Sequence, residues 1–279
     1  MRRRDGESSP ASRPVSSRPF FTDLREPRVM SDEKRRTAAQ FGSAAESYFD
    51  SEVHRLGADR ETLASWCRGA TRALDVATGA GHTAGAIADA GVSSVVAADA
   101  APEMVATAVR EYPVAGVVAD AERLPFADDV FDAAACRIAA HHFPDPEAFV
   151  AEVARVLEPG GVFAFEDNVA PEDAALAAFL DGVEVLRDPT HVELHPVSRW
   201  REWFAAAGLS VETVETAAIR LQFDPWTERT NVSPADRDEL ERRFREAPEE
   251  AKELFDVEFD GDSVVSFANP KALVRARTE

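Results

Sequence analysis

Short apolar runs alternate with helical patterns across the middle of this chain, and their order predicts the fold. Thr71–Ala77 reads as a strand, apolar from Ala73 onward except at Asp75; it passes through the turn Ala77-Thr78-Gly79-Ala80-Gly81 into a helical pattern over His82–Asp89. Ser94–Ala98 repeats the strand signal and ends at Asp99. Pro102 then takes a helix N1 position, with Met104, Val105, Ala108 and Val109 as the stripe expected to face the core. Ala115–Ala119 leads to Asp120, and Val130–Cys136 leads to Arg137. Asp145-Pro146 cap a helix carrying Phe149, Val150, Val153, Val156 and Leu157, which Pro159-Gly160-Gly161 stops before a last strand at Val162–Glu166. Strand and helix alternate with short connections from Ala73 to Asn168, the signature of a parallel sheet with helices on both faces.

The flanks read differently. In residues 33–66, Phe41, Ala44, Ala45, Tyr48 and Phe49 fall at i, i+3, i+4, i+7 spacing, and a second short helix ends near Trp66. These helices either cover a sheet edge or form a lid that brings Tyr48 and His54 over the glycine turn. Beyond the core, Pro171–Leu186 is helical and Arg187-Asp188-Pro189-Thr190-His191 is a loop. Trp200, Trp203 and Phe204 lie on a helix that stops at Gly208. Leu209–Phe223 alternates as a strand, Ser233-Pro234 opens a charged helix through Glu246, and Ser263–Arg277 reads as closing strands added antiparallel to the sheet.

Composition narrows the function classes. The 279 residues carry a net charge of −20, with 31 Lys and Arg against 51 Asp and Glu. Residues 1–29 hold seven Arg against four acids, so residues 30–279 carry −23. A surface this acidic repels nucleic acid and anionic membranes. Lys34, Lys252 and Lys271 are the only lysines, and scarce lysine with surplus acid resembles proteins adapted to high internal salt, where ions screen the repulsion. No apolar run approaches the roughly 20 residues that cross a bilayer. Cys67 and Cys136 are too few for a disulfide framework or a four-ligand zinc site and fit a reducing, cytoplasmic setting. Residues 1–29, with Arg2-Arg3-Arg4, four Pro and five Ser, read as a disordered extension, and Met30-Ser31-Asp32-Glu33 reads as the natural start.

Acidic residues stand at or beside the carboxyl ends of the first three predicted strands, at Asp75, Asp99 and Asp120, where ligands bind in open α/β sheets. Asp99 lies 20 residues beyond Gly79, the separation at which a second-strand carboxylate accepts hydrogen bonds from two ribose hydroxyls. By itself the glycine turn is shared by dinucleotide and S-adenosylmethionine sites. His141 and His142 are candidates for a base or an acceptor-binding group, since imidazole titrates near neutrality. His191 and His195 are candidates for a lid over the acceptor; His82 and Cys136 are read as structural. The histidines lack metal-ligand spacing, so no metal site is expected.

Together these stretches resemble the class I S-adenosylmethionine-dependent methyltransferases, specifically the branch similar to ubiquinone and menaquinone biosynthesis methyltransferases. The resemblance covers roughly residues 38–279 and rests on Asp75-Val76-Ala77-Thr78-Gly79-Ala80-Gly81, Asp99, the run from Ala119 to Phe126, and the run from Arg137 to Phe143. Arg155-Val156-Leu157-Glu158-Pro159-Gly160-Gly161 and Arg187-Asp188-Pro189 match as well. It implies a Rossmann-like, seven-stranded, mostly parallel sheet with an antiparallel C-terminal strand, helices on both faces and a helical N-terminal lid. Residues 30–279 would form one domain: lid 30–70, cofactor core 71–168, and acceptor-side helices and closing strands 169–279.

The resemblance also assigns roles. S-adenosylmethionine is the implied cofactor, with the Gly79–Gly81 backbone at its amino-acid portion and Asp75 orienting its ammonium. Asp99 and Ala100 would stand at the ribose, Met104 near the adenine, and Asp120 with the Ala121 backbone at the adenine amino edge. Arg137 would line the methyl-donor end, with Tyr48, His54 and His191 around a small-molecule acceptor such as a quinone precursor. The family's usual glycine is replaced by Ala77, whose methyl narrows the approach. Two other readings stand beside this one. An NAD(P)-dependent oxidoreductase would leave Asp75 and Asp120-Ala121 without a role, and a non-catalytic S-adenosylmethionine-binding protein would keep the same scaffold.

Overall fold

The computed structural model describes residues 30–50, 55 and 57–279. The expected disordered extension at 1–29 and the lid candidate His54 lie outside the described residues. Near the amino terminus come α1 (Asp32–Ser43), α2 (Ala45–Asp50) and α3 (Ala58–Trp66). Five parallel strands follow with their helices: β1 (Arg72–Val76), α4 (His82–Asp89), β2 (Ser94–Asp99), α5 (Pro102–Glu111), β3 (Ala115–Val118), β4 (Phe131–Arg137), α6 (Pro146–Val156) and β5 (Leu157–Asn168). The last third holds α7 (Ala174–Arg187), α8 (Val197–Ala206), β6 (Leu209–Gln222), α9 (Phe223–Glu228), α10 (Pro234–Glu246), α11 (Glu249–Leu254), β7 (Glu258–Asp260) and β8 (Ser263–Thr278).

The strand order is β3-β2-β1-β4-β5-β8-β6, and β8 runs antiparallel to both β5 and β6. These are the seven strands expected; three-residue β7 adds a short antiparallel pairing to β8, and the closing segment is one 16-residue strand. Between β1 and β4 the order reverses, which opens a crevice at the strands' carboxyl ends.

Side-chain alternation gives each face of the sheet its own partner. Leu74, Val76, Val96, Phe163 and Phe165 share one core with Phe149 and Val153 of α6 and Trp200 and Phe204 of α8. On the other face Ala73, Ala97, Ala133, Ala135 and Ala164 meet Leu63 of α3 and Ile87 of α4. Small strand residues there let the helices approach closely. A separate cluster of Val183, Phe223, Trp226, Leu240, Phe244 and Phe267 holds the C-terminal helices on β8.

Capping follows the sequence signals. Asp145 accepts from the Ala148 N–H at 3.0 Å and Ser233 from the Asp236 N–H at 3.2 Å, each with proline at N1. One member of a predicted stripe is corrected: Val109 packs over Gly116 beside Val105 but is 45% exposed, because β3 is a short edge strand.

Candidate functional site

The crevice between β1 and β4 is lined by two residues in left-handed backbone conformation, Ala77 at φ +53° and Ile138 at φ +52°. Such conformations cost roughly 1–3 kcal/mol at non-glycine residues, and most at a β-branched one like Ile138. Both follow the last residue of a parallel strand, so the sheet hands its chain into this crevice under strain. The two glycines of the first loop serve different ends. A Cβ on Gly79 would meet nothing within 4 Å, leaving that part of the loop open to a ligand. A Cβ on Gly81 would stand 2.7 Å from the Ala108 Cβ, so Gly81 permits α4 to cross α5 and does not line the cavity.

Asp99 ends β2 beneath that loop. Its two oxygens accept from the backbone N–H groups of Gly79 and Ala101, each at 2.9 Å. Burial raises its pKa, and these N–H groups oppose the rise. Each oxygen retains a lone pair, and Asp99 lines the cavity. Asp75 is placed differently: it is buried below the loop, takes the Thr78 hydroxyl at 2.5 Å, and does not line the cavity. Burial pushes its carboxyl up to about 7 against the hydrogen bonds from Thr78 and the Ala84 backbone.

One cleft joins these parts. It encloses about 1190 Å³ of space between protein atoms, mouth included, and extends from Gly79 and Asp99 past Asp120 and Ala121 to Arg137 and His142. Ala77, Ala100, Met104 and Tyr48 line it too. Its charged lining is Glu33, Asp99, Asp120 and Glu122 against Lys34 and Arg137, an acid surplus that suits a cationic ligand. Lys34 spans from α1 to the floor, with its Nζ 2.8 Å from both Asp120 oxygens and in contact with Glu122. Asp120 also accepts from the Glu122 N–H at 3.0 Å.

Arg137, at the end of β4, turns its guanidinium into a buried ionic cluster. Its Nη2 lies 2.7 Å from Asp59 of α3 and its Nε 3.0 Å from Glu166 of β5. Lys271 of β8 joins Asp59 at 2.9 Å and also bonds Glu166. Burial alone would raise Asp59, but hydrogen bonds to Glu166, Arg137 and Lys271 hold it well below the usual carboxylate range. Burial pushes Glu166 the other way, to about 7, despite both cations. The cluster ties α3 to three strands at the edge of the cleft.

At the far end, Phe41 stands edge-on to Tyr48 at 5.6 Å and to His142 at 4.9 Å between ring centroids. His142 lines the cleft, whereas His141 and His191 do not. His141 pairs through Nδ1 with the fully buried Asp167 at 2.6 Å, and His191 through Nε2 with Asp181 at 3.0 Å. Their rings lie 5.7 Å apart behind the cleft wall. His195 packs on Trp203 at 4.7 Å and is outside the lining.

Lys34 and Pro144 are not legible as site residues and reach the cleft only through tertiary packing, whereas Glu122 and Phe143 fall within the runs that carry the resemblance. His82, read as structural, lines it as well. Its Nδ1 lies 2.7 Å from the Tyr112 hydroxyl, while its buried Nε2 has no hydrogen-bond partner of good geometry among the described residues. The signal was its position as the first residue of the helix after the glycine turn. Among the described residues no three His, Cys, Asp or Glu side chains could hold a metal, and no helix is long and apolar enough to cross a membrane.

A methyltransferase-domain family matches residues 74–165. The uncharacterized methyltransferase YcgJ of Bacillus subtilis is 38% identical over 224 residues, which span 77% of this chain and 88% of that protein. The crystal structure of YcgJ superposes with a TM-score of 0.76 at 32% identity, covering 80% of this chain and 98% of the other. Demethylmenaquinone methyltransferase of Beutenbergia cavernae is 39% identical over 131 residues, covering 44% of this chain and 54% of that protein.

Proposed function

This chain belongs to the class I S-adenosylmethionine-dependent methyltransferases, and from that premise we propose that it binds S-adenosylmethionine in the cleft and methylates a small-molecule acceptor. The observation that carries the reading is the continuity of the cleft: Gly79, Asp99, Asp120 and His142 line one space. Asp99, fixed by two backbone N–H groups, has lone pairs left for ribose hydroxyls. Ala100 and Met104 stand beside it for the nucleoside, and Asp120 with the Ala121 backbone for the adenine edge. The open face of Gly79 leaves steric room for the amino-acid portion. The acid surplus favours a sulfonium cation.

Bound there, the cofactor supplies an electrophilic methyl group. The protein's contribution is to hold the acceptor at reacting distance in a space shielded from water, where orientation alone contributes roughly 7–11 kcal/mol. Asp75 supports this by bracing the loop from beneath rather than by touching the ligand. Arg137, with Asp59 and Glu166 on its guanidinium, fixes the wall at the methyl end. Tyr48 and Phe41 close the acceptor end beside the catalytic candidate His142, and the other candidate, His141, stands behind it. A quinone precursor is the acceptor class that the likeness to demethylmenaquinone methyltransferase favours. We place the reaction in the cytoplasm of a salt-accumulating cell, without nucleic acid or membrane as partner, on the net charge of −20 and the scarcity of lysine.

Incubating the protein in high salt with a metabolite extract and isotopically labelled methyl donor, then reading labelled products by mass spectrometry, tests the reading. A labelled small molecule made only with active protein is the expected result. S-adenosylhomocysteine binding without any labelled product would instead favour a non-catalytic binding protein.

A further inference from the structure

The two adjacent histidines after β4 are held in unlike ways. His142 Nδ1 lies 2.9 Å from the Thr190 carbonyl oxygen, which can only accept, so Nδ1 carries the proton. That leaves the lone pair on Nε2 of a ring that lines the cleft. Thr190 is itself fixed, its N–H and hydroxyl donating to Asp188 at 2.9 and 2.7 Å. Gln40 of α1 reaches the same Asp188 oxygen at 3.4 Å, tying the loop to the lid.

His141 lies against the back of this ring, with centroids 4.1 Å apart. Its backbone N–H donates to Asp167 at 3.0 Å and its Nδ1 faces the same carboxylate at 2.6 Å. A neighbour paired in this way favours positive charge on His141 and disfavours it on His142. Burial works against a charged His141, yet Asp167 carries its pKa upward. Burial first, then His141, pushes His142 down to about 3, with Asp188 and Asp167 opposing. Glu184 and Arg187 are the other charges that act on His141. His142 is therefore neutral, with a free lone pair, wherever a sulfonium would stand beside it.

We propose that the acceptor is a protic one, a hydroxyl, phenol or N–H group, whose proton His142 Nε2 receives, and that His141 and Asp167 are positioning residues that orient and neutralise that base. The inference rests on the methyltransferase reading above. As the acceptor oxygen or nitrogen forms its bond to the incoming methyl, the sulfur–methyl bond breaks with its electron pair left on sulfur. The acceptor's O–H or N–H bond breaks in the same step, and the proton passes to Nε2 and from there to water. An attacking oxygen becomes strongly acidic only as the new bond forms. A weakly basic nitrogen that is always unprotonated is then sufficient, and it places no second cation next to the sulfonium. A carbon or sulfur acceptor without an O–H or N–H would leave this lone pair without a use.

The test is nitrogen-15 NMR of the full-length, histidine-labelled protein with S-adenosylhomocysteine, titrated from pH 5 to 8. The wild type should show His142 as the neutral Nδ1–H tautomer throughout, while Asp167→Asn moves the His141 titration to lower pH. A His142 that is Nε2–H, or that titrates near 6.5 in the wild type, overturns the proposal. In parallel, labelled methyl donor and metabolite extract should give methyl on oxygen or nitrogen; methyl on carbon or sulfur overturns it. His142→Asn should lose roughly 10²–10⁴-fold in turnover. If His142→Asn does not fold, the wild-type tautomer and product arms decide. Failure of S-adenosylhomocysteine to bind the wild type would instead sink the methyltransferase reading itself.

Discussion

The glycine-loop half of the cleft and its histidine half are built from different material. In the first, Asp99 and Asp120 take backbone N–H groups from Gly79, Ala101 and Glu122, within 24 residues from 99 to 122 plus the loop 20 residues before it, and one distant side chain, that of Lys34, reaches Asp120 across 86 residues. In the second, side chains meet across the chain: Gln40 with Asp188 at a separation of 148 residues, His142 with Thr190 at 48, His141 with Asp167 at 26. A site made from local backbone geometry keeps its shape in whatever sequence supplies the turn. One made from distant side chains changes whenever a loop or lid changes, and that is where acceptor choice resides.

Breaking the ionic cluster beside the histidine half should have the largest effect. Lys271→Met leaves Glu166 and Asp59 buried with one cation fewer, and should destabilise by about 3–5 kcal/mol in denaturant unfolding. Within the loop, Gly81→Ala should cost about 2–4 kcal/mol, from a Cβ 2.7 Å from Ala108 and a φ of +92°. Gly79→Ala, with nothing within 4 Å of its Cβ, should cost only about 1 kcal/mol. Equal losses would erase the distinction between a packing glycine and a ligand glycine.

Acid and base should separate the halves as well. His142, with its pKa lowered to about 3 from the ordinary 6.5, refuses a proton that the unfolded chain accepts. Its contribution to stability is therefore lost as pH falls through that window. Asp75 is raised from 3.8 to about 7, so its contribution is present at low pH and lost as pH rises through 7. Thermal unfolding across pH should show His142→Asn flattening the loss of stability on acidification from 6.5 toward 3, and Asp75→Asn removing a loss as pH rises from 3.8 to about 7. The smallest effect is a gain: Ala77→Gly relieves a left-handed alanine at φ +53° and should stabilise by about 1 kcal/mol.

The same contrast explains what could be read from the residues. Strand and helix periodicity placed the five parallel strands, and the spacing of Asp99 from Gly79 put the carboxylate under the loop, because those relations are local. Capping pairs such as Asp145-Pro146 and Ser233-Pro234 located helix starts for the same reason. Asp75 shows the limit: its position in the motif was visible, yet whether its carboxyl faces a ligand or braces the loop depends on burial. Lys34 shows it more sharply, since nothing in residues 32–43 indicates that this lysine ends on Asp120. Likewise the two histidines were visible as a pair, but which of them lines the cleft was set by Asp167 and Thr190.

Calorimetric titration of S-adenosylhomocysteine and of NAD into the wild type and Asp99→Ala bears on the cofactor site most directly. S-adenosylhomocysteine should bind the wild type one to one and the variant about 10- to 100-fold more weakly, as expected for losing hydrogen bonds to a charged group worth about 1.5–3 kcal/mol. NAD should bind neither. Equal affinity of both proteins for S-adenosylhomocysteine, or binding of NAD in its place, would contradict a methyl-donor site at Asp99.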